Sequence, residues 1–320
     1  MGSQQIVRPP KLGKGSRIAL VAPAGPLLER DDLTRAQALC RALDYDPVLG
    51  RNAYARHGYL AGTDEERLSD FNGAASDPSI DAIWCIRGGY GCIRLLDRID
   101  YDALAARPRV VIGFSDITAV LNAITHLTGL ITFHGPVARS SMSEFTRQHF
   151  DRILSRPDGA GRLDRIPSAS GVLIPRENRI VALAGGVAEG RLIGGNLTLL
   201  QCLIGTPYFP DVAGAILFLE DVGEDLYRID RMFAHLRLCG ALQRLAGVLI
   251  GRFTDLERSG ADGARGFDEV LSDYLAPLRI PVAYGFPVGH IDDQWTLPLG
   301  VRARLDADAG ELDILESAVV

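Results

Sequence analysis

The chain has 320 residues, a net charge of −6 and 47% hydrophobic residues, which is typical of a globular protein too large for a single core. Lysine and arginine form no block, so nucleic acid is disfavoured as a partner. The five cysteines are scattered and include no CxxC pair, which argues against both a zinc site and a disulfide framework. Buried thiols in a reducing compartment are expected instead.

Membrane association is also disfavoured. No run approaches about 18 apolar residues, and residues 1–15 have no apolar core of signal-peptide length. We therefore expect a cytoplasmic protein with no membrane partner.

Strand and helix signals alternate through the first half of the chain. A capping box that begins at Thr63 and ends at Glu66 predicts the start of one of the helices. Alternation of this kind predicts an α/β fold with a parallel sheet and helices on both of its faces. The apolar runs that are predicted as buried strands are 17–21, 80–86, 109–114 and 130–133.

The second half mixes strands and helices less regularly. The periodicity weakens between about residues 150 and 178, where Gly, Pro, Ser and Arg accumulate, so a crossing between domains is expected there. Alternating apolar and polar residues around Ala309-Gly310 suggest a hairpin. The predicted division is a first domain over 1–155, a linker over 156–178 and a second domain over 179–320.

A serine lies where the third predicted strand meets a helix, in Gly113-Phe114-Ser115-Asp116. A sharp turn there exposes the hydroxyl and directs the first helical N–H groups at whatever the hydroxyl attacks. Ser115 is therefore a candidate nucleophile, with the N–H of Asp116 as an oxyanion donor. The alternative is a helix N-cap serine, which contributes about 1 kcal/mol of stability. Residue 117 is Ile, so the motif is not the GxSxG elbow of α/β-hydrolases.

A glycine-rich turn, Gly88-Gly89-Tyr90-Gly91, follows the strand predicted at 80–86. Ligands bind at this edge of an open parallel sheet, and N–H groups without side chains could complete an oxyanion hole. The alternative is a tight turn that only needs positive φ. The loop Pro23-Ala24-Gly25-Pro26 lacks the GxGxxG spacing, and its prolines remove phosphate-binding N–H groups, so no dinucleotide cofactor is expected.

Glu220 is the candidate acid, because it ends a predicted strand at 215–219. A carboxylate at that edge can hold the tautomer of an imidazole. The alternatives are a solvated strand end or a helix cap. Its rival carboxylates are Asp221, Glu224 and Asp225.

His290 is the candidate base, because it lies in a Gly-His loop and a general base near neutral pH is most simply a histidine. His134 is its competitor, since it also lies at the end of a predicted strand. No HExxH or other metal-binding spacing occurs, so no metal is expected.

Six short motifs follow one another in an order and spacing that resemble the LD-carboxypeptidase family of serine peptidases, which also contains the microcin C immunity hydrolases. The resemblance runs from about Arg17 to Leu305. It implies a Rossmann-like amino-terminal domain and a β-rich α+β carboxyl-terminal domain. The motifs are RGGYG at 87–91, GFSD at 113–116, FHGP at 133–136, GGNL at 194–197, LED at 219–221 and GH at 289–290.

Carried across motif by motif, the resemblance implies a triad shared between the two domains. Ser115 is the nucleophile, Glu220 the orienting acid and His290 the base. The N–H groups of Gly89 and Asp116 form the oxyanion hole. The family further implies a cytoplasmic homodimer without metal or cofactor, which removes the terminal D-alanine from murein tetrapeptide.

A carboxypeptidase must also bind the free terminal carboxylate of its substrate, and a fork of N–H donors suits its two oxygens. Arg87 is the candidate for this contact, although it could instead form a salt bridge beneath the glycine turn. Tyr90 and Trp295 are further candidates for substrate contact. The alternative for Trp295, which the sequence favours, is a core residue of the second domain.

Two other functions remain open. A peptidyl-nucleotide amidase of the microcin C type would use the same scaffold and the same triad. A non-catalytic ligand-binding protein would use Ser115 only as a helix cap.

Overall fold

The computed structural model describes residues 5–29, 31–167, 178–256 and 265–320. A parallel sheet occupies the first half of the chain, with strand order β5-β4-β3-β1-β2. Its strands are β1 (Arg17–Val21), β2 (Asp46–Leu49), β3 (Ala82–Cys85), β4 (Val110–Gly113) and β5 (Thr132–His134). The helices of this half are α1 (Asp32–Ala42), α2 (Asp64–Ser76), α3 (Tyr101–Ala106), α4 (Thr118–Thr128) and α5 (Glu144–Ser155).

The central strands of this sheet have no polar face. Every residue of β3 and β4 is buried, as expected for strands covered by helices on both sides. The predicted capping box is confirmed, because Thr63 and Glu66 bond each other's backbone N–H groups at the start of α2. The strand β2 and the helix α5 were not predicted from the sequence.

A second, mixed sheet of eight strands occupies most of the second half. Its strands are β6 (Gly161–Arg162), β7 (Val181–Ala184), β8 (Val187–Asn196), β9 (Ile216–Val222), β10 (Gly247–Thr254), β11 (Val282–Tyr284), β13 (Arg302–Asp306) and β14 (Glu311–Ile314). The four central strands β8, β9, β10 and β11 are parallel, and the outer pairs are antiparallel. The helices are α6 (Leu197–Cys202), α7 (Leu226–Leu238) and α8 (Phe267–Leu275).

The predicted fold class, a parallel α/β half followed by a β-rich half, is confirmed. The predicted hairpin is also present, formed by β13 and β14. In the part of the chain that the structure describes, no helix is long and apolar enough to cross a bilayer.

The two halves are joined by a strand. Residues Leu297–Leu299 form β12, which pairs antiparallel with β5 and becomes the edge of the first sheet. In the other direction β6, which lies in the predicted linker, pairs with β14 of the second sheet. Residues 168–177 of that linker lie outside the described residues. The division into domains therefore stays a prediction. A strand from the second half, β12, belongs to the sheet of the first half.

Candidate active site

Ser115 lies just after β4, in the first position of a single 3₁₀ turn, Ser115–Ile117, that runs into α4. Its φ of 63° is in the left-handed region, which costs a residue with a side chain of the order of 1–3 kcal/mol. The N-cap position of this turn belongs to Phe114, and no side chain caps it. The structure therefore does not support the helix-cap interpretation of Ser115, and a strained serine between strand and helix is typical of a nucleophile.

The glycine turn after β3 packs directly against this serine. A Cβ on Gly88 would lie 2.9 Å from Ser115 Cβ and 3.1 Å from its Oγ, so only glycine permits this approach. Gly89 has a φ of 126°, and a Cβ there would lie 2.8 Å from the Cα of Gly25. Within the described residues nothing accepts a hydrogen bond from the Gly89 N–H. This N–H is thus available beside Ser115.

Asp116 connects the same two loops. Its carboxylate is 3% exposed and accepts the N–H of Cys92, the residue after the glycine turn, at 2.8 Å. Burial raises the pKa of Asp116, and bonds from the Cys92 and Gly91 backbone partly oppose that rise. Its own N–H is among the first of a helical turn, where N–H groups have no partner within the turn.

Glu220, in the end of β9, and His290 form a hydrogen-bonded pair. The Oε2 atom of Glu220 lies 2.8 Å from Nδ1 of His290. Glu220 is fully buried, which raises the pKa of its carboxyl group, while His290 lowers it. The His290 side chain remains 22% exposed. When Nδ1 donates this bond, Nε2 keeps its lone pair and can accept a proton.

Gly289 makes the approach of His290 possible. Its φ is 124°, and a Cβ at this position would lie 3.0 Å from the Oε2 atom of Glu220. A residue with a side chain would therefore push the histidine loop away from the acid.

The ends of β4 and β9 meet through the start of α4. The backbone N–H of Asn196, which is paired in register with Glu220, donates to Oγ1 of Thr118 at 3.0 Å. A Cβ on Gly195 would lie 2.6 Å from the same oxygen. Thr118 is three residues after Ser115, so the acid and the serine belong to elements in direct contact.

His290 and Ser115 lie near each other but are not hydrogen-bonded, in contrast to His290 and Glu220. The ring of Phe114, next to Ser115 in the chain, lies with its centroid 4.7 Å from that of His290. In the described residues the hydroxyl of Ser115 makes no hydrogen bond to His290. In hydrolases without substrate this bond is often long and shortens when substrate binds. The triad therefore stays a prediction. Of its two hydrogen bonds, the structure contains the one between Glu220 and His290.

The rival base, His134, is fully buried. Neither ring nitrogen has a partner among the described residues, and the ring packs edge-on against Phe114 and Phe218. Burial and the nearby His290 lower the pKa of His134 to about 3. A histidine that is closed off from solvent and uncharged is a poor proton shuttle, so His290 is the better base.

The rival carboxylates have structural partners. Asp221 accepts hydrogen bonds from the Asn196 amide at 2.8 Å and from the Thr198 N–H at 2.9 Å. Glu224 and Asp225 both face Arg228, at 3.7 and 3.4 Å. The described contacts leave Glu220 as the carboxylate that meets a histidine at the site.

The substrate-binding candidates differ in accessibility. Tyr90 is 68% exposed and meets Tyr59 edge-on, whereas Arg87 is half-buried and donates to the carbonyl of Pro26. Trp295 is 1% exposed, and its indole N–H donates to the Asp164 carbonyl at 2.8 Å. The expectation that Trp295 lines a substrate pocket is therefore corrected: it is a core residue with no open face.

Two matches to family models agree with this geometry. Residues 18–135 match the model described as the LD-carboxypeptidase N-terminal domain, and residues 189–305 match the model of its C-terminal domain. The murein tetrapeptide carboxypeptidase of Pseudomonas aeruginosa is 38% identical over 301 residues, which are 91% of this chain and 94% of that protein.

Solved structures give the same relationship. The muramoyltetrapeptide carboxypeptidase from Oxalobacter formigenes superposes with a TM-score of 0.81 at 34% identity, covering 94% of this chain and 99% of that one. The microcin C7 self-immunity protein MccF in its wild-type apo state superposes with a TM-score of 0.89 at 29% identity, covering 98% and 100%.

Proposed function

This chain belongs to the LD-carboxypeptidase family and is a serine-type carboxypeptidase, and on that premise we propose that it hydrolyses the L,D-peptide bond of murein tetrapeptide to release terminal D-alanine. The observation that carries the proposal is the Glu220–His290 pair beside a serine held at a φ of 63°. Such an enzyme would act in the recycling of peptidoglycan.

The proposed reaction begins when His290 takes the proton of Ser115 as the hydroxyl attacks the carbonyl carbon. Glu220 stabilises the imidazolium that forms. His290 then gives the proton to the leaving amine of D-alanine, and water hydrolyses the acyl-enzyme by the same path.

The N–H groups of Gly89 and Asp116 are proposed to bind the oxyanion of the tetrahedral intermediate. Each donor of this kind contributes on the order of 3 kcal/mol to transition-state stabilisation. The support for Gly89 is its free N–H in a turn that packs on Ser115. Arg87 and Tyr90 are kept as proposed substrate contacts in the same turn.

We further propose a cytoplasmic homodimer. Support for the compartment comes from the cysteines, since all five are free thiols in the structure. The dimer rests on the family resemblance.

An amidase acting on aminoacyl nucleotides is the second candidate. MccF, which this chain resembles closely in fold, has been solved with glutamyl sulfamoyl guanosine. The same Ser115, Glu220 and His290 would catalyse that reaction, with a different acyl group and a different leaving group.

The test is D-alanine release from purified murein tetrapeptide by the wild-type protein and by Ser115→Ala. We expect loss of at least about a thousandfold in kcat for the variant, because the nucleophile is removed. Ser79→Ala is the control, since among the described residues its hydroxyl bonds Asp77 alone, at an exposed turn, and activity should not change. Full activity in Ser115→Ala would refute the proposal. Faster turnover of an aminoacyl sulfamoyl nucleoside than of the tetrapeptide would favour the amidase.

A further inference from the structure

Arg67 is a buried cation that the proposed reaction does not use. It lies in the second turn of α2 and is 1% exposed, although a charged side chain is rarely buried without a specific partner. One partner is Asp64, whose Oδ1 lies 2.5 Å from Nη2 of Arg67. This pair alone does not explain why the guanidinium points inward.

The second terminal nitrogen of the guanidinium, Nη1, joins two loops at the active-site edge of the sheet. Nη1 donates to the Pro23 carbonyl, in the loop after β1, at 2.5 Å. It also donates to the carbonyl of Gly91, the last residue of the glycine turn, at 3.1 Å. The fit is close, because a Cβ on Gly91 would lie 2.9 Å from this nitrogen.

The first of these loops contacts the peptide group that carries the Gly89 N–H. Gly25 of the first loop donates its N–H to the Gly88 carbonyl at 3.1 Å and lies against the Cα of Gly89. Arg67 therefore bonds the first loop at Pro23 and the second at Gly91, while Gly25 joins the same two loops through Gly88. Rotation of the Gly88–Gly89 peptide would break one of these contacts.

Asp116 fixes the same turn from the opposite side. Its carboxylate accepts the N–H of Cys92 at 2.8 Å, while Arg67 donates to the carbonyl of Gly91, the residue before it. The guanidinium and the carboxylate therefore hold opposite faces of a short stretch of backbone. Asp116 also supplies the second proposed oxyanion donor, so both donors are tied to this stretch.

We propose that Arg67 is a positioning residue for the oxyanion hole: it joins the loop after β1 to the end of the glycine turn, and so fixes the turn whose Gly89 N–H faces the tetrahedral intermediate. The inference rests on the proposed function and adds a residue to it. The described hydrogen bonds of Arg67 are to Pro23, Gly91 and Asp64 and none is to Ser115, so it acts through the glycine turn. Its effect should fall on kcat rather than on substrate binding, because the oxyanion is present in the tetrahedral intermediate and the transition states around it but not in the bound substrate.

The chain provides a matched control. Arg109 is 3% exposed and also donates to backbone carbonyls, those of Ala74, Asp77 and Ile80, each at 2.8 or 2.9 Å. It precedes β4, at the end of the strand opposite to Ser115. Arg67→Lys and Arg109→Lys thus make the same chemical change in two buried arginines. Of the two, Arg67 bonds the glycine turn at the active site and Arg109 does not.

The experiment measures kcat and KM for tetrapeptide, the melting temperature, and inhibition by an aldehyde of the acyl part of the substrate. The Ser115 oxygen adds to the aldehyde carbon and its proton passes to His290, while the electron pair of the C=O π bond moves to the carbonyl oxygen, which then occupies the oxyanion hole. We expect Arg67→Lys to lose about 10- to 100-fold in kcat with KM within about threefold. Aldehyde affinity should fall by a similar factor. Arg109→Lys should lower the melting temperature and keep kcat within about twofold.

Equal losses of kcat in the two variants, or a folded Arg67→Lys with wild-type kcat and aldehyde affinity, would overturn the positioning role. If Arg67→Lys does not fold, Asp64→Asn decides, since it loosens the guanidinium without removing it. That variant should lose kcat and aldehyde affinity together, and unchanged values would reject the role. A wild-type protein that releases no D-alanine would overturn the proposed function itself, and the positioning role with it.

Discussion

Two buried titratable side chains flank His290, and burial disfavours the charged form of each. It raises the pKa of the Glu220 carboxyl group, although the bond to His290 opposes this, and it lowers the pKa of His134 to about 3. His134 is therefore neutral around pH 7. A neutral neighbour places no second positive charge beside the imidazolium that forms on His290 during the reaction.

His134 should also make the fold sensitive to acid. Its pKa is about 3 in the folded protein and about 6.5 when unfolded, so below pH 6.5 only the unfolded chain takes up the proton. The stability from this group is complete above about pH 6.5 and falls by about 1.4 kcal/mol per pH unit towards pH 3. We expect urea unfolding between pH 7 and 4 to show a shallower decline for His134→Phe than for wild type.

The exposed His57 provides the control for this experiment, because His57→Phe should leave the decline as it is in wild type. Identical slopes for wild type and His134→Phe would show that His134 does not carry the acid sensitivity.

At the scale of elements, the site depends on two loops that follow neighbouring parallel strands. The turn after β3 and the turn after β4 end at the same edge of the sheet because the strands run in the same direction. Glycine in the first turn lets the second come within contact distance, and Ser115 accepts a strained φ at the point of contact. The positions of the proposed nucleophile and the proposed oxyanion donor are thus set by one loop–loop contact.

Gly88→Ala tests this contact. Gly88 does not need a positive φ, so alanine is compatible with its backbone, but the added Cβ would lie 2.9 Å from Ser115 Cβ. We expect kcat to fall about 100-fold, as for a displacement of about 1 Å. The melting temperature should change little, because the protein core is not altered. Gly13→Ala, where no atom lies within 4 Å of the new Cβ, should leave kcat unchanged. Wild-type kcat in Gly88→Ala would mean that Ser115 tolerates the new methyl group.

At the scale of the whole molecule, the two halves share structure. The strand β12 from the second half is the edge of the first sheet, with Leu297 in register with His134. One hydrophobic cluster contains residues from both halves, from Ile18 of β1 to Val301 and Val319 near the carboxyl end. The serine and its acid–base pair come from different halves, so this shared core determines how they meet.

We therefore expect the protein to unfold in one cooperative step. Near- and far-ultraviolet circular dichroism should give coincident thermal transitions. A fragment of residues 1–155 should not fold, because it lacks β12 and exposes the edge of β5. Two separate transitions, or a folded fragment, would show that the halves are independent.

Much of the site could be predicted because its motifs are local. A serine after an apolar strand, a glycine turn and an acid at a strand end each leave a signature within five or six residues. Trp295 shows the limit, since a tryptophan near a Gly-His loop can face either substrate or core. Arg67 had no signature at all, because an arginine in the first turns of an acidic helix normally faces solvent.

The amino-acid sequence by itself determined the α/β class, the identity of the serine, acid and base candidates, and the family. Periodicity and turn chemistry depend only on near neighbours in the chain, so these features can be read from it. The tertiary structure alone decided that His290 rather than His134 pairs with Glu220, that Trp295 is buried, and that β12 crosses to the first sheet. Those outcomes depend on which distant segments pack together, and burial and hydrogen bonding between such segments have no local pattern.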